Sequence, residues 1–187
     1  MKKHLKTMQN SRVLCMTQIA LFTAVMAILS QAALPLPSNV PLTLQTFAVT
    51  LCAFLGGIRK GLPACLLYLA LGAVGVPVFS GFRGGMGVLL GFTGGFLWGF
   101  IPLVCCCAVG AALQNKAVLI CCTVLGLFLC HSFGILQYAY VSGAGLMQSF
   151  LLVSVPYLLK DVISAAVGFR AAMTVQHALQ NAGLHKE

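Results

Sequence analysis

Long apolar runs alternate along the chain with short segments that hold most of its charges, prolines and turn-forming glycines. The runs do not alternate polar with apolar residues, as the strands of a membrane β-barrel do, so we expect α-helices. A membrane-spanning helix needs about 20 apolar residues. The pattern predicts six membrane helices, over residues 13–34, 43–56, 59–73, 87–113, 117–140 and 149–179.

The composition places these helices in a membrane. The chain has 187 residues, of which 60% are hydrophobic and 7% are charged, and its mean hydropathy is +1.01. Soluble domains carry about 25% charged residues. We therefore predict an all-α membrane protein that forms a single transmembrane domain over residues 1–187 and is surrounded by membrane lipid.

Basic residues predict the orientation of the helices. Those from Lys2 to Arg12 precede an apolar run nearly twice as long as a signal-peptide core, so we expect a retained helix. With both termini in the cytoplasm (N-in/C-in), nine of the 11 Lys and Arg residues lie in cytoplasmic segments, as the positive-inside rule requires. The net charge of +9 then reflects topology, and we expect no nucleic-acid partner. The nine residues are Lys2, Lys3, Lys6, Arg12, Arg59, Lys60, Lys116, Arg170 and Lys186.

Topology leaves four ionisable residues unexplained: Arg83, His131, Lys160 and Asp161. A charge at the centre of a bilayer costs about 2.5–3.5 kcal/mol on insertion scales, so such residues usually mark a function. Arg83 and the Lys160–Asp161 pair both fall toward the outer face, which predicts a polar pocket there. Because neighbouring residues on a helix point about 100° apart, we expect Lys160 and Asp161 to differ in how they face it.

This pocket suits a small amphipathic ligand. An acidic group of the ligand would pair with Arg83 or Lys160, and its NH groups would donate to Asp161. The alternative is that the charged residues are interfacial anchors. The predicted binding residues are Gln45, Phe79, Arg83, Gly85, Phe92, Tyr157, Lys160 and Asp161.

Eight of the 20 glycines lie between Gly81 and Gly99. Four of them, at positions 87, 91, 95 and 99, recur at every fourth residue, which predicts a helix that packs closely against another. The preceding segment, Val76–Gly85, lacks this repeat and holds Arg83, so we expect a loop over the ligand.

The sequence contains no catalytic motif: no Walker lysine, no GxSxG, no HExxH and no paired carboxylates. The nine cysteines lie in apolar runs without the spacing of a zinc site, so we interpret them as packing residues. We expect a binding protein, not an enzyme, with no cofactor of its own. Uphill transport would take its energy from a partner.

Three segments resemble the BioY family, the biotin-binding substrate-specific (S) components of energy-coupling factor (ECF) transporters. They are LPLPSNVPLTLQTFAV (34–49), LYLALGAVGVPVFSGFRGGMGVLLGFTGGFLWGF (67–100) and PYLLKD (156–161). The resemblance implies an ECF S-component fold of six helices that captures biotin outside the cytoplasmic membrane of a prokaryote. It also implies a transmembrane coupling subunit and two cytoplasmic ATPase subunits that use ATP. The small-residue stripe Ala20, Ala24 and Ala27 would be the docking face.

The chain departs from the family pattern at two positions. Phe92 stands where the family commonly has a proline, and Ser164 stands where it tends to have a lysine. Lys160 lies one turn before Ser164, so we hypothesise that it supplies the missing ammonium group. Two alternatives remain open, an S component for another vitamin and a membrane enzyme or assembly factor that acts on lipids.

Overall fold

The architecture comes from a computed structural model, which describes residues 2–36, 39–113 and 115–182, with side chains from Arg12 onward. Most of the described chain is helical. The elements in order are α1 (Lys2–Ser30), β1 (Ala33–Leu34), β2 (Leu42–Thr43), α2 (Gln45–Ala73), α3 (Met86–Leu90), α4 (Gly94–Ala112), α5 (Lys116–Ser142), α6 (Leu146–Val153) and α7 (Val155–Asn181).

Among the described residues, four helices are long and apolar enough to cross a membrane, or five if the bent pair α6–α7 counts as one span. The four are Arg12–Ser30, α2, α4 and α5. This confirms a helical, multi-pass membrane protein, with four or five candidate spans by length and composition against the six that the sequence predicts.

Helix α2 is a hairpin of two arms that reverses at Gly57. The backbone of Gly57 has φ 57° and ψ −164°, a conformation that glycine adopts readily. Gln45 Nε2 donates to the hydroxyl of Tyr68 at 2.8 Å, although a straight helix would separate these residues by about 34 Å. The arms, residues 45–56 and 58–73, correspond to the predicted helices 43–56 and 59–73, and the turn between them is shorter than predicted.

The first predicted membrane helix, 13–34, extends four residues too far. Helix α1 covers Lys2–Ser30, of which Arg12–Ser30 is the candidate span, and Ala33–Leu34 then pairs antiparallel with Leu42–Thr43. This pairing makes residues 34–42 a hairpin-like loop, of which residues 37 and 38 lie outside the described part. Prolines in the loop stop the helix because they lack a backbone donor.

The predicted helix 87–113 is broken into α3 and α4. Gly91 has φ −86° and ψ −166°, which is extended backbone, and α4 begins only at Gly94. Gln137 of α5 donates to the carbonyls of Leu89 and Gly91, both at 2.8 Å. A side chain from another helix thus satisfies backbone groups that a continuous helix would satisfy itself.

Helices α4 and α5 pack with their backbones in close contact. A Cβ atom on Gly99 would lie 2.7 Å from Cα of Cys130, and one on Gly95 would collide with the carbonyl of Phe133. The predicted glycine packing is therefore confirmed for Gly95 and Gly99. It is wrong for Gly87, where an added Cβ would meet nothing within 4 Å.

The predicted helix 149–179 is divided at Ser154, where α6 and α7 meet at 49°. Helix α2 is central in the bundle, packed against α1, α4 and α7, and α4 packs along α5. The reversal at Gly57, the turn before α5 and the last part of α7 meet at one end of the molecule. The predicted cytoplasmic residues Arg59, Lys60 and Lys116 lie at this end, whereas Lys186 lies outside the described residues.

We expect Gly99→Val to destabilise the bundle because the added carbons would overlap the α5 backbone at Cys130. Overpacking typically costs about 1–3 kcal/mol, which would lower the midpoint of thermal unfolding in detergent by roughly 3–10 °C. Gly87→Val, the same change at the open position, should leave the midpoint nearly unchanged. Equal midpoints for the two variants would contradict the close α4–α5 contact.

Candidate functional site

A small cavity of about 40 Å³ lies where the strand pair, the start of the first α2 arm and the starts of α4 and α7 meet. Four of the eight predicted binding residues line it. The lining comprises Val40, Pro41, Thr43, Gln45, Thr46, Ser80, Thr93, Phe96, Phe100, Tyr157, Lys160 and Asp161.

Asp161 is the buried charge of this cavity, with 5% of its surface exposed. Lys160 forms an ion pair with Oδ1, and Nε2 of His131 lies 3.3 Å from Oδ2. A buried carboxylate is tolerated when charge and hydrogen bonds compensate it. The pair with Lys160 makes the cluster electrically neutral when His131 is neutral.

Lys160 and Asp161 reach the cavity from different faces of α7. Asp161 lies on the stripe of Tyr157 and Ala165, and all three are buried. Lys160 is half-buried, and its ammonium group donates to the carbonyl of Thr43 at 3.0 Å. The structure therefore places both charges at the cavity, with Lys160 also holding the strand pair.

The other ring nitrogen of His131, Nδ1, is hydrogen-bonded to Ser154, whose Oγ lies at 3.0 Å. If Nε2 donates to Asp161, neutral histidine must accept at Nδ1, and the Ser154 hydroxyl can donate there. Phe96 stands edge-on to the imidazole at 5.7 Å. The sequence marks His131 only as an unexplained ionisable residue. Its link to Ser154 depends on the bend between α6 and α7.

The segment that covers the cavity, residues 39–43, is tied to the helices around it. The hydroxyl of Tyr157 donates to the carbonyl of Val40. The Thr43 hydroxyl donates to Oε1 of Gln45 at 3.0 Å, and Nε2 of Gln45 donates in turn to Tyr68. The covering segment is thus bonded to α7 and to both arms of α2.

The predicted loop Val76–Gly85 reaches the cavity through Ser80, which sequence reasoning did not single out. Arg83 is exposed, and its Nε donates to the carbonyl of Ser80 at 3.1 Å. Phe79 is buried against Tyr68, with ring centroids 5.4 Å apart. Neither Phe79 nor Arg83 lines the cavity, so their role in binding stays a prediction.

Gly85 and Phe92 do not line the cavity, and each contacts another helix of the bundle instead. Gly85 has φ 94°, and its N–H donates to the carbonyl of Gly72 at 2.6 Å. Phe92 packs against Tyr138 with centroids 5.6 Å apart. Their direct contact with a ligand also stays a prediction.

The cavity offers a carboxylate, an ammonium group, an amide and hydroxyl groups, so it can recognise a ligand that carries both donors and acceptors. Ligand pockets usually measure about 300–1,000 Å³. A vitamin-sized ligand therefore requires residues 39–43 or the loop 76–85 to move outward. Within the described ranges, no group of three or more His, Cys, Asp and Glu could hold a metal ion.

Comparisons with known proteins point to one family. A family model described as the BioY family matches residues 1–181. The probable biotin transporter BioY of Pyrococcus horikoshii is 33% identical over 158 residues, which cover 84% of this chain and 93% of that protein. The biotin transporter BioY of Rhodobacter capsulatus is 32% identical over 173 residues, covering 85% and 91%.

One solved structure has the same fold. It is the S-component for biotin from an ECF-type ABC transporter, and it superposes with a TM-score of 0.78 at 24% sequence identity. The match covers 90% of this chain and 93% of that one.

We expect His131→Phe to destabilise the protein because Asp161 loses a donor and the Ser154 hydroxyl loses its partner. A lost hydrogen bond to a buried charge costs about 1–3 kcal/mol, or roughly 3–10 °C in the midpoint of thermal unfolding. His131→Gln, which keeps a donor, should lose less. Ser132→Ala is the control, since its hydroxyl bonds only within its own helix at 2.8 Å. No loss in His131→Phe would show that the contact with Asp161 contributes nothing.

Proposed function

The chain belongs to the BioY family, a family of transporters and not of enzymes, and we propose on that basis that it captures biotin as the substrate-specific subunit of an ECF transporter. The observation that carries the proposal is the ion pair between half-buried Lys160 and buried Asp161 at a cavity that the strand pair and the loop 76–85 also line. Buried charges of opposite sign suit an amphipathic ligand better than they suit a chemical step.

Biotin matches this chemistry at both ends. Its ureido ring has two NH donors, for which the Asp161 carboxylate is the strongest acceptor of the cavity, and its carboxylate can pair with a cation. Lys160 faces the cavity, and Arg83, on the loop 76–85, donates to the carbonyl of Ser80, which lines it. Hydrogen bonds to charged groups strengthen in a site that excludes water, which favours tight binding.

We expect Asp161→Asn to weaken the binding of labelled biotin to the isolated protein by about 10- to 100-fold, since a hydrogen bond to a charged group contributes about 1.5–3 kcal/mol. Glu187→Gln removes the same charge at the other acidic residue of the chain and should leave the affinity unchanged. Unchanged affinity in Asp161→Asn would remove this residue from the binding site. If riboflavin or thiamine competes with labelled biotin for binding, the transported ligand is another vitamin.

The same assay tests whether Lys160 replaces the lysine that the family tends to have at position 164. Lys160→Ala should weaken binding, and adding Ser164→Lys should restore it in part because residue 164 lies one helical turn from Asp161. Full affinity in Lys160→Ala would disprove the compensation.

For the membrane topology we propose six passes with both termini in the cytoplasm. Counting the two arms of α2 separately, with α6 and α7 as one bent span, supports six. The clustering of Arg59, Lys60 and Lys116 at one end supports the orientation.

The first arm, residues 45–56, is only about 18 Å long against a hydrocarbon core of about 30 Å, and residues 39–43 cover its end. Labelling of single cysteines from each side of the membrane measures this orientation.

The proposed partners are a transmembrane coupling subunit and two cytoplasmic ATPase subunits, in the cytoplasmic membrane of a prokaryote. Ala20 and Ala24 are exposed on one stripe of α1, and Ala27 is partly buried against the core. Small residues at this spacing let another helix approach closely. Met16 and Ile28, 69% and 70% exposed, extend the same stripe.

We expect Ala24→Leu to prevent co-purification with a coupling subunit while leaving biotin binding by the isolated protein intact, because the larger side chain would separate the helices. Ala178→Leu, at an exposed position of α7, serves as the control. If the Ala24→Leu variant still co-purifies with the coupling subunit, this stripe is not the docking face.

A further inference from the structure

A second concave site, which shares no lining residue with the cavity, lies on the flank of the bundle between α5 and α7. It is a groove of about 770 Å³. The two helices make few contacts with each other, and the groove follows the gap between them. Its lining comprises Phe54, Lys116, Leu119, Ile120, Thr123, Val124, Leu127, Val162, Ala165, Ala166, Phe169, Arg170, Met173, Thr174 and His177.

The walls of the groove are apolar. Ile120, Val124 and Val162 are 62%, 58% and 51% exposed along it. The hydroxyl of Thr123 donates to the carbonyl of Leu119 at 2.8 Å, within its own helix. Thr174 likewise bonds within α7. Neither hydroxyl needs a partner from the groove, so the walls suit hydrocarbon.

One end of the groove is basic. Lys116 is the first residue of α5, and Arg170 and His177 lie in the last part of α7. The one acid in the described part of the chain, Asp161, is paired with Lys160 and His131 at the other site. No carboxylate of the described residues therefore neutralises these cations.

The length of the groove matches one leaflet of a bilayer. Along α5 it extends from Lys116 to Leu127, about 16 Å, and along α7 from Val162 to His177, about 22 Å. Half of a hydrocarbon core is about 15 Å. Lys116 and His177 thus lie at the same end of the molecule as Arg59 and Lys60, and Arg170 lies about 10 Å from His177 along α7, toward the middle of the groove.

We propose that this groove binds an anionic phospholipid, with an acyl chain between α5 and α7 and its phosphate at Lys116 and Arg170. The proposal does not depend on the transported ligand. It assigns a resident lipid to the wall of the bundle where α7, which carries Asp161, has least contact with its neighbour.

The test is native mass spectrometry of the full-length purified protein with added phosphatidylglycerol or phosphatidylcholine of identical acyl chains. Phosphatidylglycerol should bind in preference. The double variant Lys116→Gln/Arg170→Gln should lower its retention about tenfold or more, because each basic residue near a membrane surface attracts anionic lipid. The matched control Arg59→Gln/Lys60→Gln removes two charges at the same end outside the groove and should have little effect.

Variants that fill the groove distinguish a lipid bound inside it from anionic lipid that is merely attracted to basic residues at the surface. Ala166→Trp, or Val124→Trp if that variant unfolds, keeps every charge and should also reduce phosphatidylglycerol retention. Equal loss in the two double variants would overturn the proposal in favour of surface attraction. Full retention in a folded tryptophan variant would overturn it as well. If that variant instead lost a partner subunit, the groove would be a protein interface.

Discussion

The site depends on one constraint, that the carboxylate of Asp161 is buried among membrane helices and must be compensated there. Lys160 neutralises it and His131 supports it, and each of these has a further bond that fixes its place. Lys160 holds the carbonyl of Thr43 and His131 holds Ser154. A single buried charge thereby connects α7 to the strand pair on one side and to α5 and the α6–α7 bend on the other. Removing one partner of a buried ion pair typically costs about 3–5 kcal/mol, so these compensating contacts stabilise the fold as well as the site.

Three local patterns, of charge, of apolar runs and of glycine spacing, made the main features of the molecule predictable. In a chain with two acidic residues, Asp161 stood out, and the expected difference between Lys160 and Asp161 appears as a half-buried lysine beside a buried aspartate. The helical membrane fold followed from the length of the apolar runs. Gly95 and Gly99 were correctly identified as packing residues because their spacing matches the helical period.

The remaining features depend on contacts between residues far apart in the sequence. At the break in the predicted helix 87–113, Gln137 donates to two carbonyls that lie 46 and 48 residues away in the sequence. Tyr157 and Lys160 bond to the covering segment across 117 residues. Local periodicity cannot show such partners, and for the same reason Ser80 and Ser154 were not singled out. Helix α1 was predicted four residues too long because Ala33 and Leu34 are apolar, although they pair as a strand.

The reversal at Gly57 has a kinetic consequence. Because the first arm of α2 is short, what closes the cavity above it is a pair of two-residue strands and a loop, not a long helix. The opening of such a covering segment takes microseconds to seconds. Each hydrogen bond that holds the covering segment contributes only about 0.5–1.5 kcal/mol. The segment over Asp161 can therefore open by breaking a few hydrogen bonds, without any change in the packing of the surrounding helices.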